Sequence, residues 1–261
     1  MNNIIESKSI KVNGLNVRYY TAGQGEPLLV IHGGAGDAKT WWKNIAELAL
    51  KYTVYAPDLP GFGGSQPLSG NYYIHELSEF IGKFAAGIGL DKFNLVGHSL
   101  GGGIALDYTL KSPNKVKKLV LISSLCLGRE VGFWLRFLSI PGLIHSLATL
   151  VMGVLQGVKW VAKQLKRVEY VIPLTPAIIH VGENLTIFNR QSLVLESRLA
   201  EVHVPTLLVW GAKDPIVPVR QAYAAARMIP DCRLKVFEKR GHNVHREELK
   251  QFSSVLAGFL G

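Results

Sequence analysis

The stretch Lys92–Leu110 constrains this chain more than any other. A short apolar run (Phe93, Leu95, Val96) meets Gly97-His98-Ser99-Leu100-Gly101, and Ala105, Leu106 and Leu110 continue at helical spacing. Strand, tight turn and helix form the context that a G-x-S-x-G nucleophile elbow requires. Side chains at the two flanking glycines would clash with the neighbouring strand or helix, because the turn is sharp and strained. The elbow lifts the Ser99 hydroxyl to a helix N-terminus, where backbone N–H groups and the helix dipole face a developing oxyanion. The motif alone is also compatible with a glycine-rich turn and a serine N-cap, so the rest of the chain must decide.

A chain of 261 residues with 48% hydrophobic content can bury one α/β core with room for an insertion. The formal net charge is +10. Lys and Arg are scattered, without a run of five or six and without a nucleic-acid motif, so a solvated basic surface is expected and not nucleic-acid binding. Cys126 and Cys232 are far apart and form no metal-spaced cluster. The segment MNNIIESKSI lacks the pattern of a secretory signal, so a cytoplasmic location is the default expectation.

Read in order, Ser7–Val12 and Leu15–Tyr20 alternate around Asn13-Gly14, a hairpin signal. Pro27–His32 is a continuous apolar run, expected to be a strand covered on both faces, and it ends in His32-Gly33-Gly34. A helix over Lys39–Leu50, a strand at Tyr52–Ala56, a Pro/Gly-rich loop from Asp58 and a helix over Tyr73–Ile88 follow. After the elbow come a strand at Val116–Ser123, a strand at Val204–Trp210, a helix at Arg220–Met228, a strand at Leu234–Phe237 and a final helix over Glu247–Leu260. Alternating strands and helices predict a mostly parallel sheet with its ligand site beyond the carboxyl strand ends. His32, Asp58, Ser99 and Ser123 should therefore share one edge.

A serine nucleophile needs a base and a group that orients the base. Asp214 follows the strand ending at Trp210, and His242 follows the strand ending near Phe237. The order Ser99, Asp214, His242 fits this architecture. His245 is the alternative base, but its expected place in the first helical turn suits a surface or capping role. Asp214 has an alternative reading as a turn residue before Pro215. The N–H of Leu100, directly after the serine, and that of Gly34 in the HGG turn are the candidate oxyanion donors.

Taken together, LLVIHGGAG, YAPDLPGFGGS, NLVGHSLGGGIAL, KLVLISS, PTLLVWGAKDPIVP and KRGHNVH resemble the α/β-hydrolase superfamily, in its capped esterase- and lipase-like branch. The resemblance implies a mostly parallel eight-stranded sheet flanked by helices, with a helical cap inserted after strand 6. It divides the chain into core (1–124), cap (125–199) and core (200–261). It implies that Ser99, Asp214 and His242 form the triad, that Gly34 and Leu100 form the oxyanion hole, that His32, Asp58 and His98 support the site, and that no cofactor is needed.

The insertion carries an apolar stretch, Val131–Val158, whose only full charge is Arg136. Pro141, Gly142, Gly153 and Gly157 interrupt it, so a cap is expected and not a membrane span. Leu155–Val168 is amphipathic, with Lys159, Lys163, Lys166 and Arg167 on its polar face. That pattern suits a solvated cap helix, and would also suit contact with an anionic lipid surface, which vesicle flotation tests. Phe133, Trp134, Phe137, Leu143 and Leu147 are candidates to line an apolar pocket.

The leading expectation is hydrolysis of small carboxylic esters with an apolar acyl or alcohol part, by a monomer or homodimer. The resemblance extends to hydrolases that cleave carbon–carbon bonds in ring-cleavage diketones. Those tend to carry Asn where His98 stands and Trp where Asn243 stands, and both departures favour the ester. A hydrolase-like receptor for a small ligand would label at Ser99 without turning over.

Overall fold

The computed structural model describes residues 4–132, 154, 186–187, 190–191 and 193–261. Strands β1 (Glu6–Val12) and β2 (Leu15–Ala22) form the expected hairpin. Asn13 and Gly14 both take positive φ, 50° and 82°, as a two-residue turn matched to strand twist requires. The chain continues through β3 (Glu26–Ile31), β4 (Tyr52–Pro57), β5 (Phe93–His98), β6 (Val116–Ile122), β7 (Thr206–Gly211) and β8 (Cys232–Phe237). These eight strands make one sheet in the order β1-β2-β4-β3-β5-β6-β7-β8. Strand β2 runs antiparallel to β1 and β4, and every other pairing is parallel.

Helices α1 (Trp42–Leu48), α2 (Ile74–Gly87), α3 (Leu100–Lys111), α4 (Arg220–Met228), α5 (Val244–Glu247) and α6 (Leu249–Leu260) cover the sheet. The core divides into two clusters, one for each face. Leu29 and Ile31 of β3 join Leu77, Ile104 and Ala222, whereas Leu28 and Val30 join Ile45, Phe252 and Leu256. Strand side chains alternate faces, and here helices lie over both. The central strands therefore read as unbroken apolar runs instead of alternating ones.

Two expected helices differ at their ends. The segment predicted as one helix over Lys39–Leu50 opens with a 3₁₀ turn, Ala38–Trp41, because the Asp37 side chain caps the Lys39 N–H at 2.9 Å. The last helix is two pieces that break at Glu248, φ −128°, whose carboxylate turns back to pair with Arg240.

The predicted cap falls largely outside the described residues, as do Phe133, Trp134, Phe137, Leu143, Leu147 and the amphipathic segment 155–168. Its two described stems meet: the Leu195 N–H donates to the Cys126 carbonyl at 2.8 Å. Leu125, Cys126 and Leu127 are buried against the core, so this stem is part of the core wall. A short antiparallel pair, Thr186–Ile187 with Arg190–Gln191, lies between the stems, so the excursion is not helical throughout. Among the described residues no helix is long and apolar enough to cross a membrane.

Candidate active site

Every expected site residue lies just beyond the carboxyl end of a strand, in a row along one edge of the sheet. His32 and Gly34 follow β3, Asp58 follows β4, and Ser99 and Leu100 follow β5. Asp214 follows β7 and His242 follows β8.

Ser99 stands at φ 55°, ψ −114°, a conformation that costs on the order of 1–3 kcal/mol and persists only where its surroundings enforce it. Two backbone approaches enforce it here. A Cβ on Gly97 would lie 2.2 Å from the Gly101 carbonyl oxygen, and one on Gly101 would lie 2.5 Å from that of Ile31. Glycine is the residue that lets strand β5, helix α3 and strand β3 pack this closely. The elbow is tied in as well: the Ser99 N–H donates to the Ile122 carbonyl at 2.9 Å, and the Leu125 N–H donates to the Ser99 carbonyl at 3.1 Å. Leu100 is the first residue of α3, so its N–H has no acceptor within that helix. Gly33 lies against the elbow, with its Cβ position 3.3 Å from the Ser99 Cβ.

The loops after β7 and β8 are joined backbone to backbone. The Ala212 N–H donates to Phe237 at 3.0 Å and the Lys213 N–H to Arg240 at 2.9 Å. Trp210 Nε1 donates to the Val217 carbonyl at 3.0 Å and closes the Asp214 loop. In this frame the His242 Nδ1 lies 2.9 Å from Asp214 Oδ2 and 3.1 Å from Oδ1. Asp214 also accepts the N–H groups of Ile216 (2.8 Å) and Val217 (3.0 Å) through Oδ1. The carboxylate thus shapes its own turn and also lies against the histidine ring. Burial alone would push this carboxyl up, but the His242 hydrogen bond and charge and the two backbone N–H groups outweigh it and hold Asp214 below its ordinary value. An ionised Asp214 only accepts, so His242 Nδ1 carries a proton, and the neutral tautomer this selects has its lone pair on Nε2.

His98 joins the two halves. Its Nε2–H donates to the His242 carbonyl at 3.0 Å, and its ring lies 4.8 Å from that of His242. Burial and the neighbouring His242 lower it to about 3, so it is neutral. His245 is not the surface or capping residue expected. It is 1% exposed, with its ring 4.4 Å from that of His98 and 4.6 Å from that of Trp41. Its carbonyl accepts from Asn44 Nδ2 at 2.9 Å. The short helix α5 turns inward against α1, and periodicity over four residues could not reveal that.

Sequence reasoning missed Arg18. It pairs with the buried Asp58 through Nε and a terminal nitrogen, both at 2.6 Å. Asp58 also accepts the Ala38 N–H at 2.8 Å and so anchors the far end of the HGG turn. Arg18 reads as an ordinary polar position on an alternating strand, and no local signal marks it. Cys126 is buried with its thiol pushed up to about 12, and Cys232 to about 11, so neither offers a thiolate near neutrality. Among the described residues no group of three or more His, Cys, Asp and Glu side chains could hold a metal ion.

Known proteins extend the picture. The profile of the α/β-hydrolase fold matches residues 26–139 and 141–249. The chain is 34% identical over 257 residues to the dihydrolipoyllysine-residue acetyltransferase component of the acetoin cleaving system of Cupriavidus necator, covering 96% of this chain and 68% of that one. It is 27% identical over 272 residues to 2-hydroxymuconate semialdehyde hydrolase of a Pseudomonas species, covering 97% and 93%. Among solved structures it is similar to a bacterial membrane phospholipase A, with a TM-score of 0.75, 26% identity, and 98% and 86% of the two chains covered. With the eight-stranded sheet, the elbow and a profile match running through most of its length, the chain belongs to the α/β-hydrolase fold family.

Proposed function

We propose that this protein is a serine hydrolase of carboxylic esters with an apolar acyl or alcohol part. The observation that carries the proposal is the pairing of His242 Nδ1 with Asp214 at 2.9 Å, on the same sheet edge as a serine held at φ 55°. In this reading Ser99 Oγ attacks the ester carbonyl while His242 Nε2 takes its proton. The N–H groups of Leu100 and Gly34 hold the oxyanion. The intermediate collapses, the imidazolium protonates the leaving alcohol, and the acyl group stays on Ser99. Water, deprotonated by His242, then releases the acid and restores the serine. Asp214 keeps the histidine in the required tautomer and offsets its charge. The apolar sequence of the insertion, 131–158, supports an apolar substrate portion.

The relatives support this reading at the level of chemistry. One is named a phospholipase, which cleaves an ester, and another an acetyltransferase, which moves an acyl group. The semialdehyde hydrolase favours a second reading, carbon–carbon bond hydrolysis of a ring-cleavage product by the same residues. A panel of p-nitrophenyl esters of graded acyl length, run beside a ring-cleavage diketone, separates the two. The ester reading expects turnover that varies with acyl length and none of the diketone. Turnover of the diketone alone would replace it with the second reading. Rapid fluorophosphonate labelling without any turnover would point to a ligand-binding role.

A further inference from the structure

His32 is fully buried, and both its ring nitrogens are engaged. The Leu59 N–H donates to Nε2 at 3.0 Å. A backbone N–H can only donate, so Nε2 is the unprotonated nitrogen and Nδ1 carries the hydrogen. Nδ1 lies 2.8 Å from the Gly33 carbonyl oxygen and donates to it. The ring has little freedom to leave this position, since Phe62 packs edge-on at 5.3 Å.

The bonded carbonyl belongs to the peptide unit that carries the Gly34 N–H. No peptide bond among the described residues is cis, and in a trans peptide the C=O and N–H point in opposite directions within one plane. Fixing the Gly33 oxygen on His32 therefore aims the Gly34 N–H to the other side of the turn. Glycine on both sides of that peptide would otherwise let it rotate cheaply. Asp58 restrains the same turn at Ala38, four residues further on, without fixing this plane.

We propose that His32 is a positioning residue that orients the Gly34 N–H as an oxyanion donor by holding the Gly33–Gly34 peptide plane. This rests on the reading of Ser99 and Gly34 given above. Its two hydrogen bonds do separate jobs: Nε2 ties β3 to the loop after β4, and Nδ1 sets the donor.

The two jobs can be separated by substitution. Asparagine places an amide N–H at the position of Nδ1, and glutamine places an amide oxygen near that of Nε2. His32→Asn therefore keeps the peptide aim and loses the tie to Leu59. His32→Gln keeps the tie and loses the aim. Expected results are a kcat within about threefold of the parent, with a lowered Tm, for His32→Asn. For His32→Gln the expectation is a near-parental Tm and a kcat reduced about 10²–10³-fold with KM little changed, the scale of a lost oxyanion donor. If kcat follows Tm in both variants, His32 is only structural and the proposal falls. If neither variant folds, the parental protein still decides. A long-range ¹⁵N–¹H spectrum of labelled histidine must show His32 protonated at Nδ1 and bare at Nε2, and the opposite tautomer overturns the proposal. Failure of the underlying site reading shows up separately, as activity that survives Ser99→Ala.

Discussion

Around Ser99 the chain is held by close backbone packing, with glycines at 97 and 101 where any side chain would collide. Asp214 and His242 lie 28 residues apart and are held by hydrogen bonds between two loops. The first region is defined by what it excludes, the second by what it pairs. An added methyl group at the elbow should cost the whole fold its stability. A changed hydrogen-bonding group should disable the loops and leave the fold intact.

The largest effect should come from the serine itself. Ser99→Ala is expected to lower kcat for a p-nitrophenyl ester by on the order of 10⁶-fold while retaining a folded spectrum. Activity close to the parent would end the assignment. Asp214→Asn should cost about 10⁴-fold in kcat, because the amide can favour the wrong tautomer of His242. A loss of tenfold or less would mean that Asp214 only shapes its turn. Gly97→Ala should destabilise by more than about 4 kcal/mol or prevent folding, because the new Cβ would lie 2.2 Å from a backbone oxygen. A urea midpoint near the parent's would show that the elbow can relax.

The pH dependence of the Asp214 pairing has a definite sign. Its folded-state value is lowered, so its contribution is present above the unfolded carboxylate range and fades as pH falls through the folded value. The stability gap between the parent and Asp214→Asn, measured by urea unfolding, should therefore narrow from pH 6 to pH 3. A gap that widens on acidification would contradict the sign. The smallest effect serves as the control for the glycine comparison. Gly258 lies exposed in α6 with nothing within 4 Å of an added Cβ. Gly258→Ala should raise stability by up to ~1 kcal/mol, and a loss would show that helix propensity does not decide that position.

Local chemistry was legible in proportion to how locally it acts. Asn13-Gly14 announces a hairpin because both residues tolerate positive φ. Leu28–Ile31 announces a doubly covered strand because no polar position interrupts it. Gly97 and Gly101 announce an elbow only together with the strand before them and the helix after them. The ends of α1 and α6 were harder to read, since a side-chain cap at Asp37 and an ion pair at Glu248 shift them by a few residues. His245 misled because four residues of helix carry too little period to say which face is buried.

By itself the sequence determined the order of strands and helices, the serine at a strand-to-helix turn, and an acid and a histidine at later strand ends. Hydrophobic period and glycine spacing are local properties, and they survive reading along a line. Only the tertiary structure decided that His242 meets Asp214, that the His98 and His245 rings pack behind it, that Arg18 pairs with Asp58, and that His32 grips the Gly33 carbonyl. Each of these depends on side chains brought together across the sheet. Hydrogen bonds and ion pairs are short-ranged and directional, so distant residues show no sign of them until the fold sets their separation.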